Sequence, residues 1–332
     1  MAALGCGFNL LNLYHWHGQE PQPFDQEELR AVADWGFRFA RIPTDHRFLW
    51  RDGQPVAAAW RVLDEGLEAA ARVGVHWSLN LHHAPGFCIN TPRESWTLWR
   101  DPADQAETAR ILAHAAARWR GAADVSLDLI NEPVGCTAAE YGPLVGMLLA
   151  AIRAEDPLRP VIVDGLDVGT VPLPDLAAEP GVVQSVHCYA PHWLTHYRAP
   201  WVFRDGDPYL EPPSWPGREM PRRGGDPAAQ ASGPLWDRER LRGWLKPWTD
   251  LARQGAAVHC GEFGVFSHTP RPAQLAWITD LLDLLAEAGI PWAMWNLEGP
   301  FGILNNGRPG QPLADGRVLD QELLRLLQTH QG

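Results

Sequence analysis

Short apolar runs alternate along the whole chain with longer segments whose apolar positions recur at three- and four-residue spacing, so the pattern predicts strands and helices in strict succession. "LGCGFNLLN" (4–12) precedes the helical "DQEELRAVADWG", and "FRFARIP" (37–43) precedes an Ala-rich helix around Trp60 to Val73. "VHWSLNLHH" (75–83) leads through a polar loop to a helix near Pro102 to Trp119, and "DVSLDLIN" (124–131) to one over about 138–155. "PVIVDG" (160–165) is followed only by a short segment around Asp175 to Ala178, while "VVQSVHCYA" (182–190) opens a long loop before a helix from about Asp237 to Arg253. "AAVHCGEFG" (256–264) and "PWAMWNLE" (291–298) precede helices near Pro272 to Ala288 and Leu319 to Leu327.

Several of these runs are continuously apolar instead of alternating, as parallel strands buried on both faces are. An open doubly wound sheet would carry a Gly-rich phosphate turn after an early strand, and none is present. Eight units therefore predict an α/β chain folded as a single (β/α)₈ barrel domain over residues 1–332. A minimal barrel takes roughly 250 residues. The surplus falls in extended βα loops, the longest at 84–101 and about 190–236.

Composition narrows the partners. The net charge of −12 disfavours nucleic acid and anionic membrane surfaces, and no apolar run is long enough to span a bilayer. Five scattered cysteines, odd in number and without CxxC spacing, argue against a structural zinc and a complete disulfide framework. "MAALGCGFNLLNLYHWHG" lacks the basic start of a secretory signal, so a cytoplasmic location is expected, and separately a monomer.

Active sites of such barrels lie where the strands end. Arg41 is placed at the end of the second strand, His82 and His83 at the third, and Asn131 and Glu132 at the fourth. His187 and Tyr189 end the sixth, Glu262 the seventh, and Trp295 and Asn296 the eighth. Strands four and seven face each other across an eight-stranded ring, so Glu132 and Glu262 form an opposed carboxyl pair. Glycosidic cleavage needs such a pair: one group protonates the departing oxygen, the other attacks the sugar or activates water. Arg41 and Tyr189 are donors that would keep one carboxylate ionised, and Asn131 is a donor for the sugar 2-hydroxyl. Pro133 stops the strand that delivers them. Adjacent His82 and His83 point to opposite sides of a strand and do not make a metal pair. His15 and His17 have alternate spacing but no carboxylate or lysine partner, so no metal and no organic cofactor is expected.

"FARIP", "LNLHHAPGF", "LINEP", "VHCYAP", "HCGEFGVF" and "WAMWN" together make the chain resemble glycoside hydrolase family 5, the cellulase-type barrels of clan A, over essentially its full length. The resemblance implies that Glu132 is the acid/base and Glu262 the nucleophile of a retaining enzyme. It implies further that Arg41 supports Glu262, Asn131 contacts the 2-hydroxyl and Tyr189 hydrogen-bonds Glu262. His187 would lie near the acid/base, His82 would contact sugar hydroxyls with His83 beside it, and Trp295 would floor the site. The wording of HHAPG and CGEFGV is most similar to clostridial-type endoglucanases, which implies endo hydrolysis of β-1,4-glucan or mixed-linkage β-glucan. "CINTPRESWTLW" and the loop after Tyr189 have no counterpart, which leaves open exo action or a mannan, oligosaccharide or glycolipid substrate. A non-catalytic glycan-binding barrel and a metal-dependent amidohydrolase-like barrel are the readings from other classes.

Seventeen tryptophans are many for this length. Trp35, Trp60, Trp119, Trp244 and Trp277 sit in helical patterns and are expected to pack. Trp96, Trp99, Trp193, Trp201 and Trp215 fall in mouth-side loops, where flat rings suit sugar faces. Glu298 binds sugar or faces solvent on this reading, and Asp164, which could orient a neighbour, is left outside the site.

Overall fold

The eight apolar runs become eight strands in a computed structural model that describes residues 4–90, 94–202, 211–220 and 233–331. They are β1 Gly7–Asn9, β2 Phe39–Asp45, β3 His76–His83, β4 Val125–Asp128, β5 Val161–Asp164, β6 Val182–Cys188, β7 Val258–Phe263 and β8 Trp292–Met294. Each pairs in parallel with its sequence neighbours, and β8 returns to β1 through Gly7 and Ala293, closing a barrel. Gly7 is required at that closure, because a Cβ there would lie 1.7 Å from the Phe39 carbonyl oxygen. Parts of the two long loops, 91–93, 203–210 and 221–232, lie outside the described residues.

Helices α1 Gln26–Asp34, α2 Ala57–Arg72, α3 Pro102–Arg118, α4 Ala138–Glu155, α5 Arg238–Arg253, α6 Arg271–Glu287 and α7 Gln321–Gln328 cover the outside. Asp25, Asp101, Thr137, Asp237 and Asp320 cap five of them by accepting backbone N–H groups of the first turn. Trp60, Trp119 and Trp277 are buried between these helices and the barrel, and Trp35 and Trp244 are partly buried there, as their helical spacing predicts. The fifth crossover carries only the short turns Leu166–Gly169 and Pro174–Leu176, which matches the brief segment expected there. Among the described residues no helix is long and apolar enough to cross a membrane.

The two-residue period of a strand sorts what lines the barrel. Leu4, Phe39, Ile162, Val183 and Ala293 form a separate apolar cluster near the strand starts. Two residues further along, the same faces carry Arg41, Asp164, Ser185 and Trp295; His187 follows Ser185 by two. The interior thus changes from apolar to polar toward the C-terminal ends. Arg41 is the third residue of β2 and not its end, since β2 runs on to Asp45. It is aimed at the mouth from inside the barrel by the length of its own side chain.

Candidate active site

Arg41 is the hub of the polar layer and is only 1% exposed. Its Nε donates to Asp128 at 2.7 Å, and its Nη1 to Glu262 Oε1 at 2.6 Å and Asn9 Oδ1 at 3.0 Å. Its Nη2 donates to Asn131 Oδ1 at 2.9 Å and lies 3.6 Å from Asp164. A guanidinium buried so deeply is tolerable only because its planar fork meets so many acceptors. Asn131, having given its oxygen to Arg41, keeps a buried Nδ2 without a partner among the described residues, so that amide is left to donate to whatever enters.

Glu262 accepts from Arg41 on one oxygen and from the Tyr189 hydroxyl on the other at 3.0 Å. Burial nevertheless pushes its carboxyl up to about 7, against the pull of His187 and Arg41 and with the charges of Glu132 and Asp164 adding to the rise. The sequence assigned Arg41 and Tyr189 the task of keeping a carboxylate ionised. Both donate as expected, but loss of solvent outweighs them.

Glu132 follows the β4 ladder, which ends at Asp128 in its regular part. The chain stays tied to its neighbours through Leu129 N–H to Ile162 and Asn131 N–H to Leu81, both 3.1 Å. At Glu132 the backbone turns left-handed (φ 48°), a conformation that costs a non-glycine residue about 1–2 kcal/mol. His187 Nδ1 lies 2.9 Å from Glu132 Oε1 and 3.7 Å from Glu262 Oε2. One ligand atom each from Glu132, His187 and Glu262 lies within 4.8 Å of the others. The trio has the donor atoms to gather round a cation. Burial alone would lower the His187 proton affinity, but Asp164 and Glu262 raise it well above the ordinary value, and a protonated imidazole is a poor ligand.

His82 is buried, with Nε2 2.7 Å from Asn90 Nδ2, and stacks on Trp295 at 5.3 Å between ring centres. Tyr14 meets both rings edge-on. His83 turns the other way, as its adjacency to His82 required: its Nε2 is 3.0 Å from His15 Nδ1, and Asp45 lies 3.8 Å from its Nδ1. Of the mouth-loop tryptophans, Trp99, Trp193 and Trp215 are buried, Trp96 is partly buried and covers Gly135, and Trp201 is 49% exposed. Packing therefore accounts for all but Trp201, whose ring meets Phe266 and Phe301. Glu298 accepts from Asn305 at 2.7 Å and faces solvent.

Sequence reasoning missed Asn9, Tyr14 and Asp128, and set Asp164 aside. The signal was available for three of them. Asn9, Asp128 and Asp164 are polar residues inside apolar strand runs, and burying them without partners would be costly. Tyr14 gave none, since an aromatic residue beyond a strand is equally suited to packing.

Residues 1–300 match the cellulase family, glycosyl hydrolase family 5. Endoglucanase C of Acetivibrio thermocellus is 26% identical over 345 aligned positions that cover 96% of each chain. Cellodextrinase A of Ruminococcus flavefaciens is 22% identical over 277 positions, covering 80% of this chain and 76% of its own. A crystal structure of a glycoside hydrolase superposes with a TM-score of 0.88 at 35% identity, covering 99% of this chain and 100% of that one.

Proposed function

The chain belongs to the cellulase family, glycosyl hydrolase family 5, and from that premise we propose that it cleaves β-1,4-glucan or mixed-linkage β-glucan internally, with Glu132 as acid/base and Glu262 as nucleophile. It is a glycoside hydrolase. The observation that carries the retaining pair is the approach of the two carboxyl groups, an oxygen of each within 4.8 Å, and the division of roles is supported by Arg41 and Tyr189 donating to Glu262 while His187 Nδ1 meets Glu132. Retention of configuration requires carboxyls about 5–5.5 Å apart, whereas inversion needs room for a water and roughly 6.5–9.5 Å. The similarity to an endoglucanase over nearly the whole chain supports the choice of glucan.

In the first step a Glu262 oxygen forms a bond to the anomeric carbon. The glycosidic C–O bond breaks, and its electron pair leaves with the oxygen of the departing sugar, which takes the proton of Glu132. In the second, Glu132 removes a proton from water, whose oxygen bonds the same carbon as the Glu262 ester bond breaks. One water is consumed, and both glutamates return to their starting state. Arg41 and Tyr189 hold the attacking oxygens in place, and the free amide of Asn131 is positioned for the 2-hydroxyl. Trp295, backed by His82 and Tyr14, offers a flat floor.

A second reading, action on short cello-oligosaccharides, is favoured by the similarity to a cellodextrinase. Hydrolysis of cellulose, mixed-linkage glucan, mannan and laminarin, with products resolved by length, separates the two. Endo action releases a ladder of oligosaccharides from glucan, and proton NMR shows the β-anomer forming first. An α-anomer as first product, or preference for mannan or laminarin, overturns the proposal. Glu132→Gln and Glu262→Gln should each lower turnover on glucan by at least about 10²-fold while thermal melting stays cooperative; near-normal activity of either would refute the assignment of roles.

A further inference from the structure

Asp164, the last residue of β5, is fully buried, and a single oxygen of it meets three partners. Oδ2 accepts the Glu132 backbone N–H at 3.0 Å, lies 3.3 Å from His187 Nε2 and 3.6 Å from Arg41 Nη2. The other ring nitrogen of His187 is the one 2.9 Å from Glu132 Oε1. Asp164 thus reaches Glu132 twice, through its main chain and through the imidazole. The turn beyond Asp164 adds a further support, with the Val168 N–H donating to the Pro133 carbonyl at 3.3 Å. Val168 and Asp167 are themselves left-handed, at φ 63° and 50°. A β-branched residue there is a genuine outlier, of the kind that clusters at functional sites. Gly261 keeps the space open: a Cβ would stand 2.4 Å from Ser185 Oγ and 3.1 Å from His187 Nε2.

We propose that Asp164 is a positioning residue for acid catalysis, pinning the left-handed backbone of Glu132 and, through His187, fixing which oxygen of the Glu132 carboxyl carries the transferable proton. This rests on the reading of Glu132 as acid/base. Protonated on both nitrogens, His187 turns its Nδ1 to Glu132 Oε1 at 2.9 Å, while its Nε2, 3.3 Å from Asp164 Oδ2, is held by the charge of that carboxylate and not by an aligned hydrogen bond. An oxygen that accepts the Nδ1–H is the carbonyl-type oxygen of the neutral acid, so the proton sits on Oε2, free for the leaving group. A neutral His187 with a bare Nδ1 would instead accept the Glu132 proton and withhold it.

The groups facing His187 favour the charged form. Asp164 comes from β5, Asp128 and Glu132 from the β4 arm and Glu262 from β7, against Arg41 of β2. The imidazoles of His82 and His259 also face it, and burial holds both below the ordinary histidine value, so they stay neutral.

The test uses two leaving groups. A cello-oligosaccharide needs its departing oxygen protonated, whereas the phenolate of 2,4-dinitrophenyl β-cellobioside departs without a proton. Asp164→Asn keeps the volume and an acceptor oxygen but removes the charge. It should lose roughly 10- to 100-fold in kcat/KM on the oligosaccharide above neutral pH, with the alkaline limb moved to lower pH, and stay within about threefold on the activated glycoside. His187→Gln should lower kcat/KM more on the oligosaccharide than on the activated glycoside, where it also loses some activity because His187 helps draw the Glu262 carboxyl down, and combining it with Asp164→Asn should add little to the oligosaccharide loss, because both act there through one proton. This variant carries the test if Asp164 substitutions fail to fold. Equal losses on the two substrates, or an unmoved pH limb, overturn the proposal alone. A wild-type enzyme inactive on both overturns the acid/base reading and the proposal with it.

Discussion

Four carboxyl groups, Asp128, Glu132, Asp164 and Glu262, are buried at the barrel mouth against two cationic side chains, Arg41 and His187. Burial raises Glu262 to about 7 and Asp128 to about 6, with neighbouring carboxylates adding to the rise, while His187 and Arg41 overcome the same burial at Asp164 and hold it down to about 2. The sign for Glu262 follows directly. In the proposed role of nucleophile it attacks only when ionised, so kcat/KM should fall about tenfold per pH unit below an acid limb near 7, a limb read from initial rates on glucan. A limb near the ordinary carboxyl value would contradict this. The same raised value means that the folded state holds this proton more tightly than the unfolded chain. The stability it contributes is present below about 4.5 and lost as pH rises through about 7. Glu262→Gln, fixed in the neutral form, should therefore raise the melting temperature at pH 8 more than at pH 5. Most of this cluster could be read from residue types at strand ends. Asp128 was missed and Asp164 set aside because a lone aspartate in an apolar run does not announce which distant cation or imidazole it will meet. Their partners, Arg41 and His187, come from other strands.

Elements were legible to within a few residues because period and caps agree. Thr137 and Glu140 form a reciprocal capping box at the start of α4, the helix whose observed bounds match the expected ones. Thr137→Ala should cost about 1 kcal/mol in urea unfolding and leave kcat/KM unchanged, since the cap lies outside the carboxyl cluster. Strand ends were read less well. The β4 ladder stops at Asp128 although apolar residues continue to Ile130, because a register can be counted only once its neighbour is known. Loops were read least well, and tryptophan content alone could not separate packing from recognition. Exposure does: Trp201, backed by an aromatic wall that continues through Phe301 to Tyr189, is the mouth-loop ring with a free face among the described residues. Trp201→Ala should raise KM on long glucan roughly two- to tenfold while kcat on a short activated glycoside holds, given the usual worth of an aromatic face of about 0.5–1.5 kcal/mol. An unchanged KM would assign the ring to its loop.

At the scale of the whole molecule the charge of −12 acts on whatever approaches the mouth. A neutral glucan feels no net force from that field, so its capture should be nearly independent of salt. An anionic derivative such as carboxymethyl cellulose meets repulsion whose range is set by the screening length, about 30 Å at 0.01 M and about 8 Å at 0.15 M ionic strength. Raising salt across that interval should therefore increase kcat/KM on the carboxymethylated polymer severalfold, by roughly two- to tenfold, and leave mixed-linkage glucan within experimental scatter. The comparison separates electrostatics from chemistry, because both polymers contain β-1,4 glucosidic bonds and differ in charge. Equal salt responses would mean that the negative charge lies away from the mouth. The buried cluster of four carboxyl groups with Arg41 and His187 would then set the local field, and the overall charge would bear on solubility and not on capture.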